Sequence, residues 1–339
     1  MGDGDVLVIG GEEVRELLTG REGEVLAAVR EAYVMHAAGE SSLPHSSFLR
    51  FPGRDVERII ALPAFLGGEG AVAGLKWVSS FPANVAHGMA RASAVLLLNS
   101  CATGRLEAIL ESSLISAART AASAAEAARL LLAGEVPACI GLIGAGVISR
   151  EIARYLRAVF PTASHFLVHD LDAERAAHGA AAVRRIAPGA RAEVAASVEE
   201  VLAHCALTAF ATTAVRPHVA DLASCPPGAV ILHVSLRDLT PQAILACDNV
   251  VDDPDHVCRA QTSVHLAEQL TGSRDFIRCT LGDIYRGTAP ARRDGRAVAV
   301  FSPFGLGILD LAVGRLVRDL ALARGGGIEL RSFHPAAEP

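Results

Sequence analysis

The sequence predicts an α/β protein: a doubly wound parallel sheet, preceded by an α+β region whose strands are mostly antiparallel. Three observations carry this expectation. From Ala138 onward, short apolar runs alternate with helical stretches, the pattern of a parallel sheet covered by helices on both faces. Between Pro44 and Leu110 the apolar runs instead follow one another with Pro, Gly and Asn between them, as strands joined by turns do. Apolar residues make up 51% of the chain but aromatics only 4%, so the core is built from Ala, Val, Leu and Ile, which suit helices packed on sheets.

Taken in order, Val14, Leu17 and Leu18, then Val25, Val29, Ala32 and Tyr33, recur at helical spacing and predict two short helices within residues 12–40. His45 to Phe51, Arg58 to Leu66, Val72 to Phe81 and Ser93 to Asn99 are predicted strands, with Asn99 to Gly104 a hairpin connection into Leu106 to Leu110. The Ala-rich stretch Ser112 to Ala133 has strong helix propensity and stops at Gly134-Glu-Val-Pro137, the expected domain junction. Beyond it come a strand (Cys139 to Ile143), a helix (Val147 to Val159), a strand (His165 to His169) and a helix (Ala173 to Ile186). Strands at Leu207 to Ala211, Ala229 to Val234 and Asn249 to Val251 are separated by helices at Val198 to His204 and Pro241 to Ala246. Val298 to Phe301 reads as a last strand, Leu306 to Ala323 as an amphipathic helix able to pack back on the first domain, and Gly325 to Pro339 as a loosely ordered tail.

At 339 residues the chain exceeds the size at which one core stops growing, so two domains are expected. The net charge is −6, both signs are interspersed and no Lys/Arg block forms a nucleic-acid footprint, which points to a small-molecule partner. The seven cysteines are scattered, odd in number and without a C-x-x-C pair, which argues against a disulfide framework or structural zinc and for a reducing cytoplasm. Met1 to Gly11 lacks the basic start and long apolar stretch of a signal peptide, and runs such as Val136 to Ile148 are too short to span a membrane.

Gly144-Ala-Gly146-Val-Ile-Ser149 follows an apolar strand and opens a helix. Gly144 permits the tight turn, Gly146 lets the backbone approach a pyrophosphate, and the helix N-terminus offers N–H groups to it. The third position is Ser, still small enough for helix-to-strand packing. Asp170 ends the next predicted strand about twenty residues on, where a carboxylate accepts from ribose hydroxyls and repels a 2′-phosphate. This Rossmann-type context predicts NAD rather than NADP; the alternative is a structural glycine turn with a solvated Asp.

Lys76 lies in Gly74-Leu-Lys-Trp77, an apolar strand where a charge is costly unless paired or functional. Arg50 and Arg91, if near, would lower its pKa toward a useful acid/base range; otherwise it is a lysine snorkelling from an exposed face. Arg119 interrupts an Ala-rich helix start and suits a carboxylate or phosphate, or is a surface arginine. Asp238 follows an apolar strand at the carboxyl edge of the sheet, where it holds a substrate amine, accepts a proton, or caps the helix after Pro241. Asp252-Asp-Pro-Asp-His256 reads as an acidic helix start, and no H-E-x-x-H or H-x-H spacing occurs, so no metal is expected.

Lys76, the Arg119 segment, the glycine motif, Asp238 and Phe301-Ser-Pro-Phe-Gly-Leu-Gly-Ile-Leu-Asp310 together resemble the ornithine cyclodeaminase and mu-crystallin family over nearly the whole chain. The resemblance implies a substrate and dimerisation domain of residues 1–133 and 307–339, an NAD-binding Rossmann domain of residues 134–306, and a homodimer. By it, Arg50 and Lys76 bind the substrate carboxylate, and Asp238 contacts the amine or acts as a base. Arg119, Val147, Ile148, Asp170, Thr212 or Thr213, Ser235 and Ser302 line the NAD.

Within the family, His45-Ser-Ser-Phe-Leu-Arg-Phe-Pro52, Arg58-Ile-Ile-Ala-Leu-Pro-Ala-Phe-Leu-Gly-Gly68, Lys76-Trp-Val-Ser-Ser-Phe-Pro82 and Arg91-Ala-Ser-Ala94 look closest to the dehydrogenases of 2,3-diaminopropionate biosynthesis, which serves siderophores and other specialised metabolites. Arg91 falls where the cyclodeaminases tend to carry Thr, and the added cation suits an added carboxylate. The implied substrate is N-(1-amino-1-carboxy-2-ethyl)glutamate. Hydride leaves its glutamate α-carbon, Lys76 or Asp238 takes the nitrogen proton, and hydrolysis of the imine gives 2-oxoglutarate and 2,3-diaminopropionate. The competing expectations are another family activity (ornithine or lysine cyclodeaminase, ketimine reductase, alanine dehydrogenase) or a non-catalytic NAD-fold binding protein.

Overall fold

The structure, a computed structural model, describes residues 4–335. The chain forms two compact units: the residues up to Arg119 together with those from Leu306, and Thr120–Gly305. The first unit opens with β1 (Val6–Ile9), α1 (Gly11–Leu18) and α2 (Glu22–Ala37). It continues through β2 (Ser41–Ser42), β3 (Ser47–Phe51), β4 (Arg54–Leu66), β5 (Val72–Ser80), β6 (Ala92–Asn99) and β7 (Leu106–Glu111). β4 to β7 pair antiparallel in succession, β3 and β2 both pair with β4, and β1 joins β7 in parallel.

Side chains alternate along a strand and cross-strand partners share a face, so the register sorts this sheet into two surfaces. Arg50, Arg58 and Ser80 stand in one row, and Leu62, Lys76 and Leu96 in a parallel row of the same face. That face also carries the fully buried Leu98, Ala108 and Leu110. Leu49, Ile59, Ala61, Leu75, Trp77, Val95 and Leu97 occupy the other, which is apolar yet half-buried to exposed.

The division between units falls inside α3 (Ser113–Leu131), whereas the sequence suggested a junction after it. The reason lies in the helix itself. Ala121, Ala122, Ala124, Ala125, Ala127 and Ala128 are all fully buried, and Ser123 and Glu126 between them are buried too, so its second half is enclosed on nearly every side and belongs to an interior rather than to a linker.

The second unit runs β8 (Ile140–Ile143), α4 (Val147–Val159), β9 (His165–His169), α5 (Ala173–Ile186), β10 (Arg191–Val194), α6 (Val198–His204), β11 (Leu207–Phe210) and β12 (Val230–His233). It ends with α7 (Pro241–Leu245), β13 (Asp248–Val251), α8 (Pro254–Val257), α9 (Ser263–Thr271), β14 (Ile277–Thr280), α10 (Leu281–Tyr285) and β15 (Ala299–Ser302). Its sheet has the order β10-β9-β8-β11-β12-β15-β13-β14, parallel throughout. The order reverses between β8 and β11, the switch point outside which such sheets bind ligands. β10 and β14 were not expected: as edge strands reading Arg-Ala-Glu-Val and Ile-Arg-Cys-Thr they lack an apolar run.

Two elements return to the first unit, α11 (Gly307–Ala323) and β16 (Ile328–Leu330). α11 lies close on the buried sheet face: a Cβ at Gly314 would stand 2.2 Å from Leu96 Cδ2, and one at Gly74 2.8 Å from Leu311 Cδ2. β16 corrects the expectation of a loose tail, since it pairs antiparallel with β1. Its three side chains are all exposed, so backbone ladder bonds order it and hydrophobic patterning cannot reveal it. Residues 336–339 lie outside the described residues.

Candidate active site

In the first unit, three charges converge out of solvent. Lys76 Nζ on β5 lies 2.7 Å from Asp310 Oδ2 on α11, and Arg119 Nε on α3 lies 3.1 Å from the other oxygen. Ser116, one turn before Arg119 on the same helix face, stands 3.3 Å from both Lys76 Nζ and an Arg119 nitrogen. Two cations around one carboxylate leave a net positive charge. Burial, and next the Arg119 charge, press the Lys76 amine down to about 8, against the pull of Asp310.

Two expectations are corrected here. Arg119 is not a surface arginine, being 8% exposed, and the cation that depresses Lys76 is Arg119 rather than Arg50 or Arg91. Arg50 stands directly across from Arg58, which stands across from Ser80, and Arg91 Nη1 donates to Ser80 Oγ at 3.3 Å. The structure thus brings Arg50 and Arg91 together with Arg58. Lys76 shares their sheet face but sits four residues along β5 from Ser80, about 13 Å of strand rise.

In the second unit, Gly144 takes φ +89° where a Cβ would meet the Ala211 carbonyl oxygen at 2.5 Å, so the turn out of β8 can run tightly past β11. The Ser149 hydroxyl donates to the Gly144 carbonyl, which gives this departure from Gly or Ala a role in the same turn. Around Gly146, at the N-cap of α4, a Cβ would find nothing within 4 Å, and no side chain caps the first turn of this helix. Val147 is exposed and Ile148 half-buried beside it. Asp170 Oδ2 accepts from the Ala145 N–H at 2.8 Å, which sets a carboxylate beside the glycine loop. An open backbone cradle, a free helix N-terminus and an adjacent carboxylate fit a dinucleotide pyrophosphate and its ribose.

Asp238, on the loop after β12, is fully buried and does not cap α7; Thr240 does, accepting from the Ala243 N–H. Its carboxylate accepts from Thr212 Oγ1 at 2.5 Å and from the Ser235 hydroxyl, and His233 Nε2 lies 3.3 Å away. Burial favours the neutral acid, but His233, Ser235 and Thr212 outweigh it and hold the carboxyl below its ordinary range. Thr213, next to Thr212, is exposed. Ser302 at the end of β15 lies 3.3 Å from His233 Nδ1. Sequence reasoning missed His233 and gave no role to Asp310, which it named only as the end of a motif; the available signal was a polar residue at the edge of an otherwise apolar strand or helix.

Within Asp252 to His256, Asp253 caps α8 as an acidic helix start should, while Asp252 is buried and accepts from the Phe304 and Gly305 N–H groups. Burial pushes the Asp252 carboxyl up to about 6. Among the described residues no three His, Cys, Asp or Glu side chains gather as a metal site requires, and no helix is long and apolar enough to cross a membrane.

Comparison with known proteins places these features in context. The profile of the ornithine cyclodeaminase/mu-crystallin family matches residues 8–325. N-((2S)-2-amino-2-carboxyethyl)-L-glutamate dehydrogenase of Staphylococcus aureus is 27% identical over 312 residues, 90% of this chain and 92% of that protein. An archaeal alanine dehydrogenase dimer with bound NAD superposes with a TM-score of 0.86 at 26% identity, over 96% of this chain and 99% of the other. Delta(1)-pyrroline-2-carboxylate reductase of Thermococcus litoralis, solved with NADH and L-proline, shares the fold with a TM-score of 0.88 at 24% identity, over 95% and 99% of the two chains.

Proposed function

Because the chain belongs to the ornithine cyclodeaminase/mu-crystallin family, we propose that it oxidises N-((2S)-2-amino-2-carboxyethyl)-L-glutamate with NAD⁺, releasing 2-oxoglutarate and L-2,3-diaminopropionate. The protein is an NAD-dependent oxidoreductase acting on the CH–NH bond of an amino acid. The observation that supports this substrate is the spread of cations over one sheet face. The net-positive Lys76, Arg119 and Asp310 cluster stands about 13 Å of strand from the row of Arg50, Arg58 and Ser80, to whose hydroxyl Arg91 donates. A skeleton with carboxylates at both ends suits two such cation groups, whereas ornithine and alanine carry one carboxylate each.

The roles follow from the chemistry of each group. Lys76, charged below about pH 8, would hold one carboxylate beside Arg119, and Arg50 and Arg91 another, which fixes the α-hydrogen of the glutamate part. Bound NAD supplies the hydride acceptor, with Gly144, Gly146 and Asp170 holding its pyrophosphate and ribose. Asp238 takes the proton of the secondary amine as the α-hydrogen departs. Water then adds to the resulting imine, and the carbinolamine collapses to the keto acid and the free amine.

A homodimer is part of this reading. The archaeal alanine dehydrogenase is a dimer, and the half-exposed apolar sheet face around Trp77, Val95 and Leu97 is the surface we assign to a second copy. The decisive assay follows NADH formation by purified protein with NAD⁺ and the glutamate conjugate, against alanine, ornithine and lysine. 2-Oxoglutarate and diaminopropionate, identified by mass, are the expected products. Proline from ornithine without net NADH would replace this reading with a cyclodeaminase.

A further inference from the structure

β12 reads Val-Ile-Leu-His, and its last residue, His233, has no exposed surface. A buried imidazole is costly unless both ring nitrogens find partners. Nδ1 lies 3.3 Å from Ser302 Oγ, while Nε2 lies 3.2 Å from the Asp238 backbone nitrogen and 3.3 Å from Asp238 Oδ2. Nε2 therefore faces a donor and an acceptor of the same residue. Unprotonated, it accepts from the Asp238 N–H; protonated, it donates to the carboxylate. The ring is satisfied in either state without moving, as a proton-exchanging group requires.

We infer that His233 is a positioning residue that works with Asp238 as one proton-accepting pair. The inference rests on Asp238 being the base of the proposed reaction. The substrate N–H bond breaks as an O–H bond forms on Asp238, and that bond breaks in turn as Nε2–H forms on His233. The result is a carboxylate against an imidazolium whose Nδ1–H points to Ser302. Alone, a carboxylate held below its ordinary range by His233, Ser235 and Thr212 against the effect of burial is a weak acceptor at neutral pH. An imidazole behind it gives the proton a second acceptor, 3.3 Å from the carboxylate oxygen. The surroundings of the ring suit this exchange. β11 presents the Phe210 ring edge-on at 6.2 Å, β15 presents Ser302, and the loop after β12 presents Asp238, flanked by Arg237, whose guanidinium donates to the Ala260 carbonyl.

The test is the pH dependence of kcat/KM for the full chain and for His233→Gln, from about pH 5 to pH 9. Glutamine keeps a donor and an acceptor but does not titrate. The acid limb is expected to lie at lower pH in the variant than in the wild type, with the plateau falling ~10–100-fold. NADH binding, followed by fluorescence, and the thermal midpoint stay unchanged. An unmoved limb, with or without a lower plateau, overturns the inference and leaves His233 a structural residue. ¹⁵N imidazole NMR of the wild type, with His233 assigned by its loss in the variant, gives a reading independent of turnover. The ring is expected to change protonation across the limb, and a ring fixed in one state overturns the pairing. Absence of wild-type turnover would sink the reaction proposed above while the NMR titration still decides the pair.

Discussion

Lys76 Nζ and Asp310 Oδ2 meet at 2.7 Å across 234 residues of chain, both out of solvent, and Arg119 holds the carboxylate's other oxygen at 3.1 Å. One carboxylate thus compensates two buried cations. Removing it leaves both unpaired, and losing one partner of a buried ion pair costs about 3–5 kcal/mol. Asp310→Asn is expected to lose that much unfolding free energy in urea. The exposed control Arg331→Gln is expected to stay within about 0.5 kcal/mol of the parent.

The same cluster sets a pH dependence. The Lys76 amine, pressed down to about 8 by burial and then by Arg119, loses its charge as pH rises through that value, and in the proposed reaction the hold on a substrate carboxylate would go with it. kcat/KM is expected to fall on that basic limb. Lys76→Arg removes the limb because a guanidinium does not titrate there. Lys76→Ala lowers kcat/KM by ~100-fold or more while NADH binding holds within about 2-fold; wild-type rates in that variant would remove Lys76 from the reaction.

Stability carries the opposite sign. The folded lysine binds its proton less tightly than the unfolded one at its ordinary 10.5, so unfolding takes up a proton between about pH 8 and that value. The wild type should therefore gain stability with rising pH across this window relative to Lys76→Met. Parallel curves for the two proteins would show that Lys76 ionises normally in the fold.

Asp170 is expected to govern the choice of dinucleotide. Its carboxylate accepts the Ala145 N–H and lies 3.7 Å from Arg175, a half-exposed side chain. Asp170→Ser removes the negative charge that repels a 2′-phosphate and frees Arg175 to meet it. The NAD⁺ over NADP⁺ preference in kcat/KM is expected to drop by ~10–100-fold. An unchanged preference would place the ribose elsewhere.

Trp77 tests the assembly. It stands in a row with Ala61 and Val95 on the half-exposed apolar face of the first unit's sheet. Trp77→Glu places a charge at the centre of the proposed interface and is expected to turn a dimer into a folded monomer in sedimentation velocity. A variant that remains dimeric would move the interface to another surface.

The sequence by itself determined what local chemistry specifies. Alternating apolar runs and helical stretches announced the parallel sheet of the second unit, because backbone periodicity is written in neighbouring residues. Gly144, Gly146 and Asp170 were legible as a nucleotide motif because the turn, the helix start and the next strand end lie within one short span. Tertiary structure alone decided the electrostatics and the edges. Lys76, Arg119 and Asp310 come from β5, α3 and α11, and no spacing rule joins them. Arg50 and Arg58 became neighbours through strand register and Arg91 joined them through Ser80, while His233 found Asp238 and Ser302 through a loop and a neighbouring strand. β16, with three exposed side chains, was fixed by ladder bonds to β1. The physical reason is one of range. Helices, strands and turns arise from bonds between near neighbours in the chain, whereas the charge on a buried group is set by whatever stands within a few ångströms after folding.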